Sequence, residues 1–322
     1  MYFSQATIAA VVAAGFVSAA PTIEKRAGIT DADILQYALT LEHLEDTFYR
    51  DGLAKYSEQD FNSAGFDSKV YNNIKTIASD EAAHVDFLTK GLQGKHSIFI
   101  KKPEPPITDQ ISAAGANPVA ACTYDFGYKD VKSFLATASI LEGVGVSAYL
   151  GAAADIMSKA YLTAAGSILT VESRHSSYIR ASLDQKPFPQ PFDTPLSYNE
   201  VYSLASGFIK SCPETNPPLP VKAFPAVAVA ADTKMPIKAG DEIVLQTPGY
   251  QLQGANSDTK IYAAFIAVTG PVFVDAYPVD GGFKVQIPEG FAGQTYAVLT
   301  SCKDAVNDDT IAAGPAIIEI AS

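Results

Sequence analysis

No cluster of lysine or arginine interrupts this acidic sequence, and no Asn-x-Ser/Thr acceptor occurs in its 322 residues. The formal net charge is −12, so the surface repels polyanions, and nucleic-acid binding is excluded as a working reading. Without an acceptor triplet, N-glycosylation is not expected. Beyond the N-terminal region no stretch carries the roughly 18 uninterrupted apolar residues that a membrane helix needs. The run Ile311 to Ile320 is broken by Pro315 and Glu319, which argues against a removed lipid-anchor tail. Cysteine and histidine are scarce as well, with three and four copies.

What is present at the N-terminus reads as a leader. An apolar run from Ala6 to Ala20 ends in small residues before Pro21, and Lys25-Arg26 follows at once. That is a secretory h-region with a cleavage site, then a dibasic site for a kexin-type protease. The expectation is a soluble, exported protein, secreted or associated with the cell wall, whose residues 1–26 are removed. Cys122, Cys212 and Cys302 are an odd number for an oxidising route, so one disulfide and one leftover thiol are expected. Cys122 with Cys212 is the favoured pair, because each sits in an irregular segment flanking the helical region.

Hydrophobic residues make up 48% of the chain, ample for real cores, and its length suggests two domains. Residues 30–212 read as helical. Thr30-Asp31 caps a helix over 31–51, with Ile34, Ala38, Leu41 and Phe48 at helical spacing. A polar stretch leads to Asp67, which caps a helix over 67–92. Pro103, Pro105, Pro106 and Pro118 make Gly94 to Lys129 a long loop, and further helices follow over 130–158 and 161–183. Pro187, Pro189, Pro191 and Pro195 form a connector, and Ser197 to Lys210 suggests one more short helix. Residues 213–221 read as a proline-rich linker. Residues 222–322 hold seven short β-type runs separated by turn signals such as Pro248-Gly249 and Asp280-Gly281-Gly282, the pattern of a small β-sandwich-like domain. That domain contains no histidine and no catalytic constellation; its partner is not readable.

The chemistry lies in the helices. Glu81-x-x-His84 sits in the second and Glu172-x-x-His175 in the fourth, and residues three apart share a helix face. The first and third helices each carry a glutamate in an apolar stripe, Glu42 and Glu142. Four buried carboxylates are prohibitively unfavourable unless paired or metallated, and two divalent cations would balance them. One Glu from each of two helices, with Glu-x-x-His from each of the other two, is the ligand set of ferritin-like di-iron and di-manganese bundles. Glu45, one turn from Glu42 on the adjoining face, is an alternative ligand or a fifth carboxylate. Tyr49 and Tyr149 each stand seven residues after the lone Glu, on the same stripe, where a phenol can hydrogen-bond a ligand or relay an electron. The unit Glu, Tyr, Glu-x-x-His therefore occurs twice. His43 is expected to point elsewhere, and His96 into solvent.

The stretch Leu39 to Tyr49 with Ser79-Asp-Glu-Ala-Ala-His84, and later Leu141-Glu142-Gly143 with Val171-Glu172-Ser-Arg-His175, resembles the ferritin-like domain of secreted fungal stress-response proteins and plant desiccation-related proteins. The resemblance covers the helical region and, through Cys212-Pro213 to Pro225, reaches the linker. It implies an up-down bundle with a long crossover between its second and third helices, and it carries no known reaction. The expected fold is thus an all-α ferritin-like four-helix bundle followed by a small all-β, sandwich-like domain. Two functions are open. One is a metal-dependent oxidase, ferroxidase or peroxide-handling protein using two iron or manganese ions. The other is a non-catalytic extracellular stress or adhesion protein with a vestigial site.

Overall fold

A computed structural model describes residues 28–94, 116–252 and 259–321. The leader, His96 and most of the long loop lie outside the described residues. Four long helices form the bundle: α1 (Asp31–Lys55), α3 (Ser68–Leu92), α4 (Val131–Ala152) and α5 (Lys159–Ser182), with short α2 (Glu58–Ser63) and α6 (Tyr198–Ser206) beside them. Each starts on a side chain that satisfies orphan backbone N–H groups. Thr30 with Asp33, and Ser57 with Asp60, form reciprocal capping boxes, while Asp67 and Ser158 cap singly.

Helix ends depart from the sequence reading for identifiable reasons. Gly52 does not stop α1, which continues to Lys55. A Cβ there would lie 2.1 Å from the Phe134 ring, so this glycine serves close packing rather than chain reversal. α2 occupies the stretch read as merely polar, and its fully buried Phe61 packs on Phe66, Tyr71 and Phe134. α4 stops at Ala152 rather than Ser158. The Asp31 carboxylate accepts from the Met157 and Ser158 N–H groups, which fixes a turn instead.

Cross-helix contacts set the topology. Asp31 and Gly91 lie at one end of the bundle, whereas Tyr49 meets Glu142 and Tyr149 meets Glu42. α1 is therefore antiparallel to both α3 and α4, and α3 and α4 run the same way. The up-down pattern holds within each helix pair but not between pairs, so the connection from α3 to α4 must traverse the bundle. Its described end is tied to α1 by Gln36, which donates to Asn117 O and accepts from Val119 N–H. Cys122 is joined to Cys212, the pairing the sequence favours. The small ribbon of β1 (Thr123–Tyr124) and β2 (Ile209–Ser211) lies alongside, and Cys302 is free. Among the described residues one helix, Val131–Ala152, is apolar and long enough to cross a membrane; most of it is buried in the bundle.

The C-terminal region is all-β, with seven strands: β3 (Ala228–Val229), β4 (Glu242–Gln246), β5 (Ile261–Phe265), β6 (Val272–Val279), β7 (Gly282–Gln286), β8 (Gly293–Thr300) and β9 (Ile311–Ile320). Their order is β3-β4-β7-β6-β5-β8-β9. β6 pairs with β5 over Val272–Ala276 and then with β7 over Tyr277–Val279, so one strand serves two packed layers, as at a sandwich corner. A bridge from Ile237 to Ile320 nearly closes the sheet.

Strand periodicity explains how this sheet docks. Side chains alternate across a strand. In β8, Ala297 and Leu299 enter the β core while Tyr296 joins the bundle core. In β9, Ile318 faces the sheet interior while Glu319 meets Arg180 of α5, whose guanidinium donates to both carboxylate oxygens at 3.0 and 2.8 Å. Arg180 is 5% exposed, so removing its partner leaves a buried cation without its countercharge. Glu319→Ala is expected to cost about 1–3 kcal/mol in urea unfolding. Glu242→Ala, in an exposed pair with Lys284, should be nearly silent.

Candidate metal centre

Each bundle helix contributes from its apolar stripe. α1 places Glu42, Glu45 and Tyr49 inside; α3 places Glu81 and His84; α4 places Glu142 and Tyr149; α5 places Glu172 and His175. Glu81, Glu142 and Glu172 have no exposed surface, Glu42 has 1% and Glu45 has 4%. All six residues of the expected ligand set converge, and Glu45 joins them as a fifth carboxylate.

The imidazoles lie between the acids. His84 Nδ1 is 3.2 Å from one oxygen of each of Glu42, Glu81 and Glu172. His175 Nδ1 is 3.0 Å from Glu81 Oε1 and 3.3 Å from Glu142 Oε2, but in hydrogen-bonding geometry with neither. Two overlapping groups result. Glu42, Glu81, His84 and Glu172 can each offer a ligand atom within 4.8 Å of the others, and so can Glu81, Glu142, Glu172 and His175. Glu81 and Glu172 belong to both groups.

The tyrosines cross between the two repeats. Tyr49 donates to Glu142, and Tyr149 donates to Glu42. Each phenol therefore fixes the glutamate of the other helix, a consequence of the antiparallel run of α1 and α4. Asp80 lies on the outer side of His175, with Oδ2 3.1 Å from Nε2. A carboxylate there orients the ring and directs Nδ1 inward. No reading of the sequence singled out Asp80; its only signal is its place next to Glu81. His43 turns away, with Nε2 3.0 Å from Val119 O.

Electrostatics show what the cluster lacks. Burial, then the Glu172 charge, pushes the Glu81 carboxyl up to about 8 against the pull of His175 and His84. Burial followed by neighbouring carboxylates holds Glu45 and Glu172 well above the usual carboxylate range. Burial acts to lower both histidines, yet the surrounding carboxylates win: His84 is raised far above its ordinary value and His175 to about 11. The acids favour neutrality and the imidazoles favour charge, the signature of a site short of positive charge at its centre.

The polar atoms agree. Glu42 Oε2, Glu81 Oε1, Glu142 Oε2, both Glu172 oxygens and His175 Nδ1 are buried without a hydrogen-bond partner. Orphaned buried carboxylate oxygens are costly unless a cation collects them. The donor set, carboxylate oxygen with imidazole nitrogen, suits iron or manganese. The residues present therefore fit bound metal.

Two glycines in α4 make room. A Cβ at Gly145 would lie 3.1 Å from Glu45 Oε1 and 3.5 Å from Glu172 Oε2, and one at Gly143 would lie 2.6 Å from the Gln294 amide. Gln294 donates to Ile140 O, and Tyr296 donates to Gly143 O at 3.0 Å. Strand β8 thus binds the α4 backbone on both sides of Glu142.

Residues 30–185 match the family model described as the ferritin-like domain. The chain is also similar to protein rds1 of Schizosaccharomyces pombe, 27% identical over 197 residues, or 61% of this chain. The match spans 44% of that relative's length.

A charge-deficient centre has a stability consequence. Glu45→Gln keeps the shape and removes one of five crowded acids, so the metal-free protein at pH 7 should gain about 1–2 kcal/mol. Thermal unfolding of the chelated protein checks this; a lower midpoint would mean that Glu45 is already balanced.

Proposed function

Because residues 30–185 belong to the ferritin-like domain family, we propose that the bundle holds two iron or manganese ions and that the protein is an exported oxidase, ferroxidase or peroxide-handling protein of the stress response. Glu42 and His84 would serve one ion and Glu142 and His175 the other, with Glu81 and Glu172 shared between them. One observation carries the reading: the carboxylate oxygens and His175 Nδ1 that lack hydrogen-bond partners belong to the two overlapping four-residue groups. When bound, such a metal pair supplies redox chemistry toward dioxygen or peroxide.

The chain's own contribution is positioning. The helices bury the acids away from water, which strengthens every charge interaction among them. Tyr49 and Tyr149 each donate to one oxygen of Glu142 and Glu42 and leave the other oxygen for the centre. Asp80 holds the His175 ring from outside. Export is supported by the apolar leader with its dibasic pair and by the Cys122–Cys212 disulfide, which suits an oxidising compartment.

Metal analysis of protein purified from its native host tests the reading. About two transition-metal ions per chain are expected, with oxygen or peroxide consumption, and both should fall in Glu42→Ala and His84→Ala. Fewer than about one ion per chain, with neither gas nor peroxide consumed, would leave the bundle a non-catalytic scaffold.

A further inference from the structure

An apolar cleft, partly open to solvent, lies within the end of the bundle where α1 begins and α3 ends. Its lining runs from Asp31 and Gly91 inward to Leu41 and Tyr149. From Asp31 to Leu41 is ten residues of α1, so the cleft extends about 15 Å along the axis.

The walls are apolar and unusually small-sided. Ala38, Ala148, Ala152, Ala164 and Ala165 come from three helices, and together with Gly91 they hold the space open where larger side chains would close it. Almost no polar atom faces the open space. Tyr37 and Tyr161 line the cleft, but their hydroxyls are buried and do not open onto it. At the outer end stands the Asp31 carboxylate, held by two backbone N–H groups.

The inner end reaches the metal centre. Tyr149 lines the cleft and donates its hydroxyl to Glu42. Leu41 precedes Glu42, and Leu88 is one turn beyond His84 on α3. The wall between cleft and cluster is thus made of cluster residues or their immediate neighbours.

We propose that this cleft is the substrate site of the centre and that it takes a neutral, mainly aliphatic molecule of medium chain length. The apolar walls select an aliphatic chain, and the Asp31 carboxylate at the outer end repels an anionic head. The inference deepens the redox reading above by naming a substrate class. Its binding step, however, is measurable whether or not metal is present.

The mature protein is titrated with N-phenyl-1-naphthylamine, a neutral apolar fluorophore, and the dye is then displaced with 1-dodecanol or dodecanoate. Saturable dye binding is expected, with dodecanol displacing it about tenfold more tightly than dodecanoate. Ala165→Trp, which fills the cleft far from the ligand set, should weaken dye and dodecanol by about tenfold or more while metal content stays at the wild-type level. Ala165→Leu gives a smaller effect in the same direction if the larger side chain disturbs folding. Asp31→Asn should remove the preference for the alcohol. His175→Ala should deplete metal and leave dye binding intact, which separates this inference from the metal reading. Absence of saturable binding in the wild type overturns it, as does binding that both Ala165 variants leave unchanged. Equal displacement by dodecanol and dodecanoate overturns the neutral-ligand assignment.

Discussion

Five carboxylates buried between four helices are the constraint on which this structure turns. Glu42, Glu45, Glu81, Glu142 and Glu172 together expose almost no surface. An isolated buried carboxylate is costly enough that it normally takes up a proton or finds a cation. Here two imidazoles provide part of the missing positive charge, and their raised pKa values record how strongly the acids demand it. A bundle assembled for stability alone would fill these positions with aliphatic side chains, since replacing buried charges with apolar residues is often neutral or favourable. The cost of retaining five acids fits a centre able to collect cations.

Much of the surrounding architecture follows from holding those acids in place. Because α1 and α4 run antiparallel, Tyr49 and Tyr149 each reach the glutamate on the opposite helix, and the two halves lock together at the centre. That orientation forces the chain after α3 to cross the bundle before α4 begins. The crossover is fastened where it returns, by Gln36 to Asn117 and Val119 and by the Cys122–Cys212 disulfide. Long loops are cheap in closure entropy but need such anchors to be ordered.

The sequence makes the site far more legible than its supports. Apolar-flanked Glu42 and Glu142 and the two Glu-x-x-His pairs stand out because chemistry at helical spacing is a local signal. The seven strands are readable for the same reason, as short β-branched runs between turn residues. The role of Gly52 is not: a glycine after Asp51 looks like a stop until the Phe134 ring is seen against it. Asp80 is equally hidden, because its partner His175 is 95 residues away. Nothing local states that the sheet docks on α4 and α5, since the alternation in β8 and β9 resembles that of any strand with two covered faces.

That docking changes the standing of the β region. By sequence it holds no histidine and no visible chemistry, and so reads as an appendage. In the structure Gln294 and Tyr296 donate to the Ile140 and Gly143 carbonyls, bracketing Glu142. Gly143 lacks a side chain where Gln294 presses from outside, and Gly145 lacks one where Glu45 crowds from within. α4 is therefore held between sheet and cluster at the turn that carries one of the buried acids. A backbone pinned on both sides of Glu142 restricts how far that carboxylate can move. Support of this kind beneath a clustered side chain fixes its position to the small tolerance that a site requires. The sheet belongs to the centre physically, although none of its residues enters it.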